Sequence, residues 1–471
     1  MPWVNKMDTP ICDFVRDYVR EDALRLHMPG HKGHSFLGME SLDITEIYGA
    51  DSLYEAGGII ARSEANAGAL FGCKTLYSTE GSSQCIRAML YLLQLWANQN
   101  GKHKRIAAGR NVHKTFLTAA ALLDLEIDWL YPARNKSYLS CELTAGDIEA
   151  YLESAKEKPA AVYLTSPDYL GNMVDISSVA EVCHQNGVLL AVDNAHGAYL
   201  KFLPQPQHPM DLGADLCCDS AHKTLPVLTG GAYLHISGNF PEEITAQAKN
   251  AMAIFGSTSP SYLILQSLDR ANAYLASYRQ KLAPFLAQIE ALKNTLRESG
   301  YSLKGAEPLK LTIEANAYGY SGCTLAELLV KEGLIPEFSD ADFLVLMMTP
   351  ETGREGLMRL EKALLDIPRK DPIANSAPTL YHGIQVMSVR EAMMSASEVV
   401  PVSESLGRIL AVPTVGCPPA VPIVVCGERI DAHAVRCFEY YGIRECCVVK
   451  GVLLPSADFR TDECISEKLD H

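Results

Sequence analysis

The run Asp219-Ser220-Ala221-His222-Lys223-Thr224-Leu225-Pro226, continued by Val227-Leu228-Thr229-Gly230-Gly231-Ala232-Tyr233-Leu234-His235-Ile236, sets one lysine between two apolar, strand-like segments at 214–218 and 232–236. A lysine walled in by apolar strands tends to shed its proton, because desolvation penalises the charged form. A neutral amine is what carbonyl chemistry requires. The competing reading is a solvated turn lysine, the usual place of lysine in folded chains. The segments upstream decide between the two.

Working back from Lys223, short apolar runs alternate with helical patterns. Strands are predicted at 105–108, 126–130, 160–165 and 188–192, and helices at 115–123, 144–154 and 176–184, with Thr144 and Asp147 placed to cap the second helix. This alternation predicts a parallel sheet covered on both faces, and ligands of such sheets collect at the carboxyl ends of the strands. His113, Asp193 and Lys223 all fall just beyond strand ends, so all three are expected to face one crevice. Further upstream, a strand at 75–79, the turn Glu80-Gly81-Ser82-Ser83 and a helix at 84–97 form a candidate anion pocket, where free N–H groups and the helix dipole point at the turn. Ser82 and Ser83 serve equally well as plain helix N-caps.

Outward from this region the chain divides into four parts. Residues 1–60 are expected to form an arm containing the loop Leu26-His27-Met28-Pro29-Gly30-His31-Lys32-Gly33, and 61–265 the large domain. The hydroxyl-rich turn Ser257-Thr258-Ser259-Pro260-Ser261 precedes a long helix, predicted over 263–282 and continuing after a break to 299. Residues 266–370 read as a small α/β subdomain, with strands at 309–314 and 343–348 and helices at 324–332 and 354–365. Residues 371–471 open on a linker and read as an α+β C-terminal domain, with helices at 389–394 and 431–441 and a strand at 446–454.

Composition narrows the class. A chain of 471 residues with 48% hydrophobic and 21% charged residues is folded and multidomain. A formal net charge of −15 argues against nucleic acid as a partner. The 14 cysteines include two adjacent pairs and no Cys-x-x-Cys, a pattern of small apolar residues in a reducing compartment. No metal site is expected. The N-terminus has no apolar signal region, and no run approaches a membrane span, so no membrane association and a cytoplasmic location are expected.

An aspartate and a lysine thirty residues apart at the ends of adjacent β-units (223 − 193) are the pair that pyridoxal 5'-phosphate (PLP) enzymes use. The carboxylate keeps the pyridinium nitrogen protonated, and the lysine forms the imine. The alternative on these residues alone is a generic α/β nucleotide or sugar-phosphate enzyme.

Several motifs together resemble the Orn/Lys/Arg decarboxylase family of PLP enzymes. They are His27-Met28-Pro29-Gly30-His31-Lys32-Gly33, Leu42-Asp43-Ile44-Thr45-Glu46, Asn111-Val112-His113-Lys114, Asp193-Asn194-Ala195-His196-Gly197-Ala198, Ser220-Ala221-His222-Lys223-Thr224-Leu225-Pro226 and Ser257-Thr258-Ser259-Pro260-Ser261-Tyr262. Weaker matches continue to Pro418-Pro419 and Gly427-Glu428, and the length is that of the short bacterial forms without an N-terminal wing domain. The resemblance implies an aspartate-aminotransferase-like (fold type I) large domain with a mostly parallel sheet. It implies Lys223 as the imine-forming residue, Asp193 as the pyridinium partner and His113 as the imidazole on the cofactor ring. Ser82, Ser83, Ser220, His222 and His196 would line the cofactor. Ser257 or Thr258 would reach the phosphate of a neighbouring subunit, which implies a homodimer with shared sites and leaves higher assembly open.

The implied reaction is decarboxylation of a basic amino acid (arginine, lysine or ornithine) to its amine and CO₂, feeding polyamine metabolism, with His222 or Lys223 returning a proton to Cα. Alternatives are a PLP-dependent aminotransferase or lyase acting on another amino acid, and a catalytically silent homologue. Three departures from the family pattern bear on substrate choice: Glu80 in the phosphate turn, Asn194 with Tyr199 after Asp193, and Cys417-Pro418-Pro419-Ala420 in the C-terminal domain. The last two fall where recognition of the substrate side chain is expected.

Overall fold

A computed structural model describes residues 7–132, 137–374, 377–379, 382–413 and 421–453. Seven short strands form the central sheet: β1 (Lys74–Ser78), β2 (Arg105–Gly109), β3 (Glu126–Leu130), β4 (Ala161–Thr165), β5 (Leu189–Asp193), β6 (Leu216–Asp219) and β7 (Ala232–Ile236), in the order β1-β7-β6-β5-β4-β2-β3. Pairing is parallel from β3 through β6, and β7 runs antiparallel to both β6 and β1. The reversal follows from the β6–β7 connection, which carries a single helical turn and no crossover helix to return the chain to the opposite edge. β4 to β7 are almost wholly buried, as their unbroken apolar sequences require.

Helices α1 (Pro10–Arg20), α2 (Ile59–Phe71), α3 (Gly81–Gln99), α4 (Lys114–Leu123), α5 (Ala145–Ser154), α6 (Ile176–Gln185) and the single turn α7 (Ala221–Thr224) precede β7. Thr144 and Asp147 form a capping box on α5, as their spacing predicts. α1 is not a loose arm. Its Ile11 and Val15 are fully buried in a core shared with α2 and the helix Tyr262–Leu275, and the Cys12 N–H donates to Asp269.

The long helix is two, Tyr262–Leu275 and Tyr278–Glu298, parting at Ala276-Ser277 and continuous through Pro284 where a break was expected. Beyond it, β8 (Ser302–Lys304), β9 (Lys310–Glu314), β10 (Phe338–Ser339) and β11 (Phe343–Met347) form a sheet in the order β10-β11-β9-β8 that is antiparallel throughout. The two outer strands are too short to leave a periodicity in the sequence.

In the C-terminal region β12 (Ser397–Pro401) pairs antiparallel with β13 (Glu445–Val449), which ends short of the expected 454. Arg110, just past β2, is buried and donates to the carbonyls of Pro422 and Ile423 and to Glu428 Oε2 at 3.2 Å, tying this region to the large sheet. Among the described residues no helix is long and apolar enough to cross a membrane, and all twelve cysteines are free thiols.

Candidate active site

The carboxyl ends of β2, β4, β5 and β6 open on a cavity of about 280 Å³. His113, Asp193, His196 and Lys223 line it, as do Ser82, Ser83, Ser220 and His222. Residues from four separate chain segments thus meet where the alternation of strands and helices placed them.

Lys223 sits on α7, immediately beyond β6, with Nζ 3.0 Å from His196 Nε2. Burial lowers its pKa from the ordinary lysine value, against the opposing pull of Asp193 and Glu337. Burial also drives His196 well below the usual histidine range, reinforced by the charges of Lys223 and Lys310. Neutral imidazole against a deprotonation-prone amine leaves Lys223 ready to attack a carbonyl.

Asp193 ends β5 and is 2% exposed. Its donors are long or weak: Ala195 N–H at 3.1 Å and the Cys218 thiol at 3.6 Å on Oδ1, and Tyr163 OH at 3.4 Å on Oδ2. Burial raises its pKa, with Lys223 pulling the other way. His113 caps α4, its Nδ1 accepting from the Thr115 N–H at 3.2 Å, which leaves the ring proton at Nε2. Burial lowers His113 to about 4, so the ring is neutral.

At the other end of the cavity, α3 begins at Gly81, three residues earlier than the expected start at 84, and Glu80 provides no side-chain cap. Ser82 and Ser83 lie inside the first turn and do not act as caps. Ser82 Oγ accepts from Ser220 Oγ at 2.8 Å, and Ser83 Oγ lies 3.1 Å from Thr115 Oγ1. The loop after Lys223 closes on this turn through Gly81 N–H to Gly230 O at 2.7 Å. Gly230 has φ +98°, and a Cβ there would meet Thr79 O at 2.8 Å, so only glycine permits the approach.

These groups fit PLP. Three hydroxyls and uncapped helix N–H groups suit its phosphate. Asp193, buried with no fixed cation bonded to it, suits a pyridinium N–H. Thr165 Oγ1, at the end of β4 and on the cavity wall, is buried without a hydrogen-bond partner among the described residues.

Other expected positions lie elsewhere. Ser257 and Thr258 are exposed and do not line the cavity; the Ser257 N–H donates to Glu80 Oε1 at 2.5 Å. Asn194 and Tyr199 are fully buried outside the cavity, so the expectation that they contact a substrate side chain is not met. Asn194 Nδ2 donates to Asp219 Oδ1 at 2.7 Å, and Tyr199 OH donates to Glu307. Cys417-Pro418-Pro419-Ala420 lies outside the described residues.

Sequence reasoning missed Thr165, Asn111, Tyr169 and Glu337, which all line the cavity. The strand-end rule that picked Asp193 also marks Thr165. Glu337 arrives from the small antiparallel sheet, just ahead of β10, and nothing local in the sequence signals it; Tyr169 OH donates to its Oε1 at 2.9 Å. One buried group, His208, Cys217 and Asp219, brings three potential metal-ligand atoms within 4.8 Å of one another. Asp219 Oδ2 already accepts from two imidazoles there, and burial holds the Cys217 thiol protonated, which leaves no thiolate for an ion.

Comparison with known proteins agrees with this geometry. The chain is 30% identical over 464 residues to an uncharacterised protein of Bacillus subtilis, covering 91% of this chain and 93% of the relative. It is 28% identical over 474 residues to a B. subtilis arginine decarboxylase, covering 92% and 93%. In three dimensions it resembles the Francisella novicida lysine decarboxylase, with TM-score 0.77 at 16% identity over 94% of this chain and 82% of the other. The major domain of Orn/Lys/Arg decarboxylase matches residues 9–313 and its C-terminal domain matches 384–447, and the cavity-lining segments from Gly81 to Lys223 fall inside the first match, so the chain belongs to the Orn/Lys/Arg decarboxylase family.

Proposed function

We propose that this PLP-dependent amino-acid decarboxylase acts on a basic amino acid, arginine before lysine or ornithine, and releases CO₂ and an amine that feeds polyamine metabolism in the cytoplasm. The observation that carries the substrate class is Glu337, an exposed carboxylate on the cavity wall and the one acidic side chain there besides the buried Asp193 among the described residues. A distal guanidinium or ammonium would pair with it, and a guanidinium's planar fork suits a carboxylate best. Relatives named arginine decarboxylase, aligned over nine-tenths of the chain, favour arginine.

Bound PLP supplies an electron sink for the charge left when CO₂ departs. The protein's residues do the rest. Lys223 presents its amine, Asp193 holds the ring N–H, the neutral imidazole of His113 covers the ring, and the hydroxyls of Ser82, Ser83 and Ser220 with the α3 N-terminus take the phosphate. His222 Nδ1 faces Gly231 O at 3.0 Å. A carbonyl only accepts, so Nδ1 carries the proton and Nε2 is bare. With its pKa also lowered by burial, His222 is unprotonated at neutral pH, and Lys223 returns a proton to Cα once its resting neutral amine has taken one up during turnover.

The active unit in this reading is a homodimer. Leu24, Leu26, Phe36, Leu37 and Tyr48 of the N-terminal segment are largely exposed and would be covered by a partner subunit. Exposed Ser257 and Thr258 would contribute to the partner's phosphate site. The test is CO₂ release from a panel of amino acids by the PLP-loaded protein. Release from arginine, abolished by Lys223→Ala, is expected. Keto acid without CO₂ from any basic amino acid would overturn the reading in favour of an aminotransferase.

A further inference from the structure

Behind His196 lies a second buried lysine. Lys310 opens β9, is 4% exposed, and has three acceptors around Nζ: the carbonyl of Asp168 at 3.1 Å, the carbonyl of Tyr169 at 3.3 Å and His196 Nδ1 at 3.5 Å. An ammonium has three donors and no lone pair, and the carbonyls can only accept. A protonated Lys310 therefore requires His196 Nδ1 to be bare. The ring proton then sits on Nε2, which faces Lys223 Nζ at 3.0 Å. Lys223 can meet that N–H only with its lone pair, as a neutral amine.

We propose that Lys310 is a positioning residue for the imine-forming lysine: through His196 it fixes the ring tautomer that holds the Lys223 amine unprotonated. The inference rests on the reading of Lys223 as the imine-forming residue. The charges around the relay are consistent with it. Burial, reinforced by the charge of Lys223, lowers the Lys310 pKa, and three carboxylates, Glu307, Asp168 and Glu337, oppose it and favour the ammonium form. His196 is faced by Lys223, Lys310, His113 and His222, all of which disfavour an imidazolium, and the Tyr169 ring packs on it edge-on at 5.3 Å. Lys223 is faced by Asp193, Glu337 and Cys218.

Two measurements test it. In the full-length wild-type protein before loading with PLP, ring-¹⁵N NMR, with His196 assigned through His196→Gln, should show Nε2 protonated and Nδ1 bare at neutral pH. The opposite tautomer or an imidazolium would overturn the proposal, whatever the fate of any variant. In the holoenzyme, the visible absorbance of the cofactor–lysine imine is titrated against pH. Lys310→Met removes a nearby positive charge and the tautomer lock, and should raise the titration midpoint by about one pH unit, while Lys310→Arg should restore it. A folded Lys310→Met protein with an unmoved midpoint would overturn the proposal, since a merely structural role would leave the titration in place. Lys223→Ala checks the underlying reading separately: if the imine band survives it, the assignment of Lys223 fails independently of the His196 tautomer.

Discussion

Asp193 and Asp219 end neighbouring parallel strands and are both buried, at 2% and 0% exposure, yet their surroundings are opposite. Asp219 Oδ2 accepts from His208 Nε2 and His235 Nε2, each at 3.0 Å, and Oδ1 accepts from Asn194. Burial alone would raise it, but the two imidazoles hold it well below the usual carboxylate range, and Asp219 in turn lifts His235, against burial, to about 9. Asp193 has no such partner, and burial raises it. A buried carboxylate without its counter-ion is costly. The fold neutralises the one behind the cavity permanently and leaves the one facing the cavity for a ligand to neutralise. In the proposed reading that division separates a residue kept for stability from one kept for chemistry, although both read as acidic residues at strand ends.

The largest effect should come from breaking the ligand side. Asp193→Asn is expected to cut decarboxylation by a factor on the order of 10³, as losing a preorganised charge at the reacting centre does. The thermal midpoint of the unloaded protein should hold or rise, because a buried unpaired charge has gone. A matching loss of stability would erase the distinction.

Asp219→Asn should do the reverse. Leaving buried imidazoles without their anion costs about 3–5 kcal/mol, read from denaturant unfolding, and an unchanged midpoint would contradict the structural role.

The same network predicts a pH dependence. His235 titrates near 9 in the fold against an ordinary 6.5. A raised folded pKa stabilises fully below the unfolded value and is lost as pH climbs, so stability should fall by up to about 3 kcal/mol between those values. Asp219→Asn should flatten that slope. His208, whose pKa is lowered by burial, works the other way and costs stability as pH drops below its unfolded value.

The smallest effect belongs to Glu337, the exposed third carboxylate. Glu337→Gln should raise KM for arginine by roughly tenfold with kcat little changed, the signature of lost uniform binding. A kcat loss with KM unmoved would move Glu337 from recognition to the reacting centre.

Much of this was legible before any coordinates. Strands β2 to β7 are short apolar runs between turn signals, and a doubly covered sheet collects function at its carboxyl ends, which is why His113, Asp193 and Lys223 converge. What stayed hidden depends on direction and distance. Asn194 and Tyr199 follow Asp193 so closely that they looked like cavity residues. Successive side chains leave a strand end on opposite sides, so Asn194 turns to Asp219 behind the sheet, while Tyr199 lies on the separate helical turn Ala198–Phe202 and turns to Glu307. Glu337 and Lys310 reach the site from a separate sheet, and no local pattern records a contact made that far along the chain. Ser82 and Ser83 showed the right chemistry in the wrong role: caps by propensity, they sit within the first turn of α3 and leave its N-terminus open.

The most direct test of the account is to trap the lysine. The protein is loaded with PLP, reduced with borohydride, digested, and the pyridoxyl-bearing peptide identified by mass spectrometry. The account predicts a single modified residue, Lys223, with loading reduced in Asp193→Asn and retained in any folded Asp219→Asn protein. Label on Lys310, the other buried lysine beside His196, or on no residue at all, would contradict it.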